Sequence, residues 1–324
     1  MTADRALSPG VEARGETVTI RFGARPIQTM AGQMVLAALV AAGEIVCRIT
    51  ASGSRRGVFC GMGVCQDCIV DIDGSANQRA CMTPVRDGMV VTAAEARAEP
   101  SAAAAMPETI HLAPDVLVVG GGPAGLAAAA VAAEAGLDVV LVDERAHLGG
   151  QFYKQPAEGF RIDESLVDKQ FRDGRALIRR VTESGTRCFS RMTVWAAFGA
   201  EEIWATGPSS TLSIAPKRVV LATGAYERGV PLPGWTLPGF MTTGAAQTLL
   251  RSYQIVPGQR VLLGGNGPLN LQVAAELVRA GVKVVALVEA AARPGPRSLA
   301  SLAALAGSAP DLVRDGLAYR SALR

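Results

Sequence analysis

Four of the chain's six cysteines, Cys60, Cys65, Cys68 and Cys81, fall within 22 residues, and no other feature so restricts what the segment around them can become. Thiols this close either pair as disulfides or converge on metal. The start, MTADRALSPGVEARGE, holds no apolar run fit for a signal-peptide core, so a cytoplasmic, reducing location is expected and metal is preferred. The spacing, Cys-x4-Cys-x2-Cys and then twelve residues before the fourth cysteine, suits a [2Fe-2S] rhomb. Each iron takes two thiolates, and bridging sulfide completes its tetrahedron. Gly57, Gly61 and Gly63 fit a loop that turns sharply and aims N–H groups at sulfur. Structural zinc is the main alternative, but zinc sites usually carry two Cys-x2-Cys knuckles and only one is present. A thiol-redox reading of Cys65-Gln66-Asp67-Cys68 is weaker, because Cys60 flanks it and no thioredoxin-like βαβ unit surrounds it. Cys47 and Cys188 read as small buried side chains.

Around this loop the pattern is that of a small β-rich domain. Residues 17–29 alternate polar and apolar side chains about a Gly-Ala-Arg-Pro break, which predicts a hairpin. MVLAALVAAG at 34–43 predicts a short helix ending on Gly43, and CIVDIDG and VRDGMVVTA predict two further strands, each with an Asp-Gly turn signal. The domain is expected to run over 15–92. An alanine- and proline-rich linker follows over 93–112, with a surface helix at 93–99 as the alternative.

The texture then changes. DVLVVGGGPAGLAAAAVAAEAGLDVVLVDE sets Gly120, Gly122 and Gly125 between a strand and a helix, with Asp143 where the second strand ends and Glu144 as the adjacent alternative. In a dinucleotide fingerprint the first glycine makes the tight turn, the second admits the pyrophosphate, the third permits helix–strand contact, and the acid accepts hydrogen bonds from a ribose. RVLLGGNGPLNLQVAAELVRAGVKVVALVE repeats the pattern with Gly265, Gly267 and Glu289, but Asn270 stands in the third glycine position. Were a nicotinamide nucleotide bound there, Glu289 would favour NAD over NADP; Arg293 and Arg297 keep that choice open. The fold class is therefore α/β, with a first dinucleotide unit over 113–255 and a second over 256–324.

With 324 residues and 49% hydrophobic content, the chain has room for two or three domains. Its 32 basic and 29 acidic residues give no general reason to expect nucleic acid as partner, and no apolar stretch reaches the length of a transmembrane segment. Only two histidines, His111 and His147, are present, which argues against a His-based metal site or a Ser-His-Asp triad. No catalytic general-base constellation is visible.

The cysteine spacing matches plant-type ferredoxins, here with a β-grasp fold expected, and two dinucleotide units in one chain resemble the flavin-dependent pyridine nucleotide oxidoreductases. LGGQFY at 148–153, ATGAYER at 222–228 and PLPGWTLPGFMTTGAAQ at 231–247 resemble one branch of these. It comprises the α subunits of opine oxidase, D-hydroxyproline dehydrogenase and heterotetrameric sarcosine oxidase, and the hydrogen cyanide synthase subunits. In it, RRGVFCGMGVCQDC and RACMTPVRDG resemble a fused iron–sulfur subunit.

That resemblance implies FAD contacts at Gly120, Gly122, Pro123, Ala124, Gly125, Asp143, Glu144, Gly150, Gln151, Ala222, Thr223 and Gly224. It also implies an electron-transfer role beside a FAD-dependent β subunit that resembles amino-acid oxidases. Two alternatives are a self-contained NAD(P)H-dependent flavin and iron–sulfur reductase, or a non-catalytic iron–sulfur module. Within this fold the flavin domain resumes after the second dinucleotide unit, whereas the sequence stops 35 residues past Glu289. By this resemblance the second dinucleotide unit is expected to be incomplete, and the chain to be C-terminally truncated and to hold FAD weakly by itself.

Overall fold

The computed structural model describes residues 8–94, 107–292 and 295–323. Strand β1 (Val11–Ala13) leads into the hairpin of β2 (Thr17–Phe22) and β3 (Arg25–Met30), then helix α1 (Val35–Ala41). A two-residue pair, β4 (Arg48–Ile49) and β5 (Arg55–Arg56), delivers the chain to the cysteine loop. After it come β6 (Ile69–Ile72), β7 (Ser75–Arg79) and β8 (Val90–Ala93). The sheet order β3-β2-β8-β6-β7 has one parallel pair, β2 with β8, as a β-grasp requires, and α1 buries six consecutive apolar residues beneath it. The sequence pattern did not reveal β7. SANQR has no apolar alternation, and its strand is set by the turn at Asp73 and Gly74, both at positive φ.

The second region begins with β9 (Glu108–Leu112) and β10 (Val116–Val119). Placing 93–112 in a linker thus needs correction at its end. Glu108–Leu112 pairs in parallel with a later strand, its Thr-Ile pair being well suited to a ladder, while 95–106 lie outside the described residues, as does most of the alternative helix at 93–99. Helix α2 (Pro123–Glu134), β11 (Val139–Asp143), β12 (Phe160–Ile162), α3 (Lys169–Glu183) and β13 (Arg187–Ser190) follow. Then come β14 (Thr193–Ala197), β15 (Ile203–Thr206), β16 (Ser210–Ile214) and β17 (Arg218–Leu221).

Strands β13-β11-β10-β17 form a parallel sheet, and β14-β15-β16-β9 a mixed one in which only β16 and β9 run parallel. VLVV and the VVLV that precedes Asp143 are apolar throughout because both faces of the first sheet are covered. Val116, Val118, Val139 and Leu141 meet α2 and α3 on one side, while Leu117, Val140 and Val142 meet Ile203, Leu212 and Ile214 on the other.

Helix α4 (Thr243–Tyr253) precedes a second, smaller unit. That unit contains β18 (Arg260–Gly265), α5 (Pro268–Arg279), β19 (Lys283–Glu289), α6 (Leu299–Ser308) and α7 (Pro310–Ala322). β18 and β19 are paired in parallel. Among the described residues no helix is long and apolar enough to cross a membrane.

The sequence places α4 at the end of the first dinucleotide unit; in the structure it is the element on which three parts converge. All ten residues from Gly244 to Tyr253 are buried. Ala245, Leu249 and Tyr253, spaced four apart, join the core of the β-grasp domain, and Ala246 and Leu250 join that of the second unit. Arg251, 4% exposed, bonds Asp168 at the start of α3 at 2.8 Å and Glu276 of α5 at 3.0 Å, with its guanidinium stacked 3.9 Å from the Phe171 ring. The β-grasp domain is tied on at its leading end too, since β1 pairs antiparallel with β12.

Truncating Leu249 to alanine deletes buried methyl groups at the shared core and is expected to destabilise the chain by about 2–5 kcal/mol. The measurement is urea unfolding, and a midpoint equal to wild type would contradict the shared core.

Candidate functional site

The cysteine loop is shaped by backbone before any metal is considered. Gly61 and Gly63 take positive φ, +63° and +86°, letting the chain fold back so that the amides of Met62 and Cys65 donate to Cys60 Sγ at 3.4 and 3.5 Å. The Asp67 amide donates to Cys65 Sγ at 3.5 Å. Gly57 serves differently from the other two: a Cβ there would overlap the Ile45 carbonyl oxygen, so its role is close approach. Cys81 follows β7, and the Ala80 amide, bonded to the Cys68 carbonyl at 3.0 Å, draws it to Cys68. Arg79 Nη1 reaches across to the Gly63 carbonyl at 3.0 Å, and Arg48 holds Asp67 at 2.8 Å. The loop is fixed to the flavoprotein region by the Thr242 amide, which donates to the Phe59 carbonyl at 2.8 Å, and by Phe59 stacking on Phe240 and meeting Trp235 edge-on.

The four thiols stand in two pairs. The Cys65 thiol and the amides of Cys65, Met62 and Val64 push Cys60 down to about 5 despite burial, while Cys65, donating to Cys60, is pushed up. In the same way the Cys81 thiol lowers Cys68, and Cys81 is raised. Two sulfur pairs with converging N–H donors could hold two irons. Among the described residues no three His, Cys, Asp or Glu side chains converge on one point. Cys47 is buried beside the loop and Cys188 is half-buried on β13; burial raises both thiols.

The first dinucleotide motif opens on a cleft of about 640 Å³. Gly120, Gly122, Pro123, Ala124, Asp143, Glu144, Gly150, Gln151, Ala222, Thr223 and Gly224 all line it. Gly125 lies beneath, where a Cβ would overlap the Gly120 carbonyl oxygen, and this is what lets α2 start so close to β10.

The two acids divide. Asp143 is buried, and its oxygens accept from the amides of Gly121 at 2.5 Å and Arg145 at 2.7 Å. Burial pushes its carboxyl up against the pull of those donors. With both oxygens engaged by backbone, Asp143 organises the glycine loop. Glu144 accepts from the Tyr226 hydroxyl at 2.8 Å. Burial and that bond push Tyr226 up to about 12. Tyr226 and Arg145 line the cleft without having been singled out from sequence; the ATGAYER segment contained the first, while nothing marked the second.

The second motif is built otherwise. Gly265 and Gly267 have positive φ, but Glu289 turns to its own backbone, accepting from Ala291 at 3.1 Å and Gly267 at 3.4 Å. Asn270 is buried and accepts from the Thr243 hydroxyl at 2.6 Å. Its carboxamide fills the space against Gly265 that a third glycine would leave for backbone contact. Arg293 and the side chain of Arg297 lie outside the described residues.

Residues 15–96 match the family model of a 2Fe-2S iron-sulfur cluster binding domain, and residues 114–306 that of pyridine nucleotide-disulphide oxidoreductase. An opine oxidase subunit of Agrobacterium tumefaciens (strain Ach5) is 37% identical over 188 residues, covering 56% of this chain and 37% of that protein. The alpha subunit of sarcosine oxidase from Corynebacterium sp. (strain P-1) is 28% identical over 306 residues, covering 86% of this chain and 31% of that protein. The chain spans less than half the length of these relatives. Among solved structures, L-proline dehydrogenase from P. horikoshii superposes with a TM-score of 0.74 at 24% identity, covering 91% of this chain and 57% of that one, and so shares the fold.

Two substitutions separate the sites. Cys68→Ser is expected to remove nearly all iron and acid-labile sulfide without changing added-FAD affinity. Gly125→Val is expected to weaken FAD binding at least about tenfold, by fluorescence titration, with iron content kept. Loss of both cofactors in either variant would contradict separate sites.

Proposed function

The chain belongs to the pyridine nucleotide-disulphide oxidoreductase family and joins to it a 2Fe-2S iron-sulfur cluster binding domain, and from this premise we propose that it is an FAD- and [2Fe-2S]-dependent electron-transfer subunit. In this reading Cys60 and Cys65 hold one iron, Cys68 and Cys81 the other, and FAD occupies the 640 Å³ cleft with its ribose on Glu144 and its pyrophosphate at the start of α2. FAD, which can accept an electron pair, and the cluster, which takes one electron at a time, supply the redox chemistry. The protein's part is to hold the two centres and exclude competing reactions.

The observation that carries the proposal is that both sites are built against the same buried helix: the cluster loop bonds to Thr242, the N-cap of α4, and Gln247 of α4 bonds Lys154 just beyond the flavin-loop residues Gly150 and Gln151. The family's disulfide chemistry is not part of the reading. Cys188 is the single cysteine of the flavoprotein region, so no redox pair is available there.

The relatives are named as subunits of opine and sarcosine oxidases. By extension, a flavoprotein partner resembling amino-acid oxidases would oxidise the C–N bond of an amino-acid-like amine and deliver electrons to this chain.

The test is an ultraviolet-visible and electron paramagnetic resonance study of anaerobically purified protein with iron, sulfide and flavin analysis. A stoichiometric cluster is expected, with flavin weakly retained and restored by added FAD, and with NADH alone leaving that flavin oxidised. Rapid bleaching by NADH would instead favour a self-contained reductase, and cluster without any affinity for FAD would reduce the chain to an iron–sulfur module.

A further inference from the structure

A second, much smaller cavity, of about 30 Å³, lies between the two sites. Cys81, Met82 and Met34 line it from the cluster side; Arg145, Gly150 and Lys154 line it from the flavin side. Arg145 and Gly150 also line the large cleft, so one wall is shared between the space that FAD would fill and the space that ends at a cluster ligand.

Its charge is one-sided. Lys154 is 5% exposed, and its ammonium donates only to neutral acceptors, the Gln151 carbonyl at 2.6 Å and Gln247 Oε1 at 3.0 Å. Arg145 makes no ion pair among the described residues, and its Nη1 is buried without a hydrogen-bond partner. Gln155 Oε1, in the same lining, is a buried acceptor likewise without a partner. Burial pushes His147 down, so it adds no charge at neutral pH. The acids that act on Lys154, Glu227 and Glu276, are committed elsewhere: Glu227 accepts from the Gly244 amide, and Glu276 from Arg251. Burial and the neighbouring Arg145 bring Lys154 down to about 8, which leaves it mostly protonated at neutral pH.

A buried ammonium, and beside it a half-buried guanidinium with one nitrogen sealed from water, are costly in a folded protein without carboxylate partners unless a negative charge compensates them. One-electron reduction makes a four-thiolate cluster more negative by one charge, in the low-dielectric setting where a nearby ammonium acts most strongly.

We propose that Lys154 and Arg145 form a cationic bridge between the flavin cleft and Cys81 that raises the reduction potential of the cluster and so draws electrons from flavin to iron. They are positioning residues: one electron moves, no bond is made or broken, and the protonation of both side chains is unchanged. The inference rests on the electron-transfer reading above.

The experiment is a redox titration of the whole chain, followed by the low-temperature resonance signal of the reduced cluster. Lys154→Met is expected to disfavour cluster reduction about tenfold, a shift of roughly 59 mV for a one-electron couple. Lys154→Arg should restore the wild-type value, and the exposed Lys217→Met should not move it. Arg145→Met provides a second variant, with a shift of the same sign, should Lys154→Met fail to fold. A normal cluster whose potential ignores both substitutions overturns this inference alone; a wild-type chain that assembles no cluster overturns the electron-transfer reading and this inference with it.

Discussion

The burial of α4 on every side is the constraint from which the other relations follow. A helix normally turns one apolar stripe to a core and leaves the rest to water. Here one set of residues enters the β-grasp core, a second enters the smaller dinucleotide unit, and Arg251 on a third side is balanced by Asp168 and Glu276. A helix held in this way fixes the relative placement of three parts of the chain. Electron transfer requires that of two centres carried by different domains.

The cysteine loop and the glycine loop use the same physical device. In each, glycines bring the backbone close to where negative charge will sit, and amide N–H groups are turned toward it. In the first the amides point at sulfur. In the second the helix N-terminus faces the cleft, and Asp143 is spent on holding the loop in shape through Gly121. The second dinucleotide motif keeps two glycines and loses the third, and the Asn270 carboxamide shows how: a side chain bonded to Thr243 takes the place of a backbone contact. The same substitution ties that unit to α4, so its cost in helix–strand packing is offset by an anchor.

Much of the fold was legible in the chain because it depends on local spacing. The Cys-x4-Cys-x2-Cys run, the Gly120, Gly122 and Gly125 fingerprint and the apolar strands around it each obey a short-range rule, and their elements appear within a residue or two of where periodicity put them. The misreadings share a cause. SANQR and ETIHL carry no period of their own and become strands because a neighbour offers a ladder edge. Residues 11–13 lie ahead of the expected domain and pair with 160–162, a partner some 150 residues away in sequence.

What the sequence determined by itself was the kind of chemistry each loop can support, since thiol spacing and glycine placement act over a few residues. Which acid is engaged by the backbone, where two cations sit without carboxylate partners, and which helix holds the domains together were decided by tertiary structure alone. Each depends on what a side chain meets from distant parts of the chain: Asp143 on the Gly121 amide, Lys154 on Gln247, Leu249 on the β-grasp core. Hydrogen-bond satisfaction and burial are properties of those meetings, and they take their values only once the chain has folded.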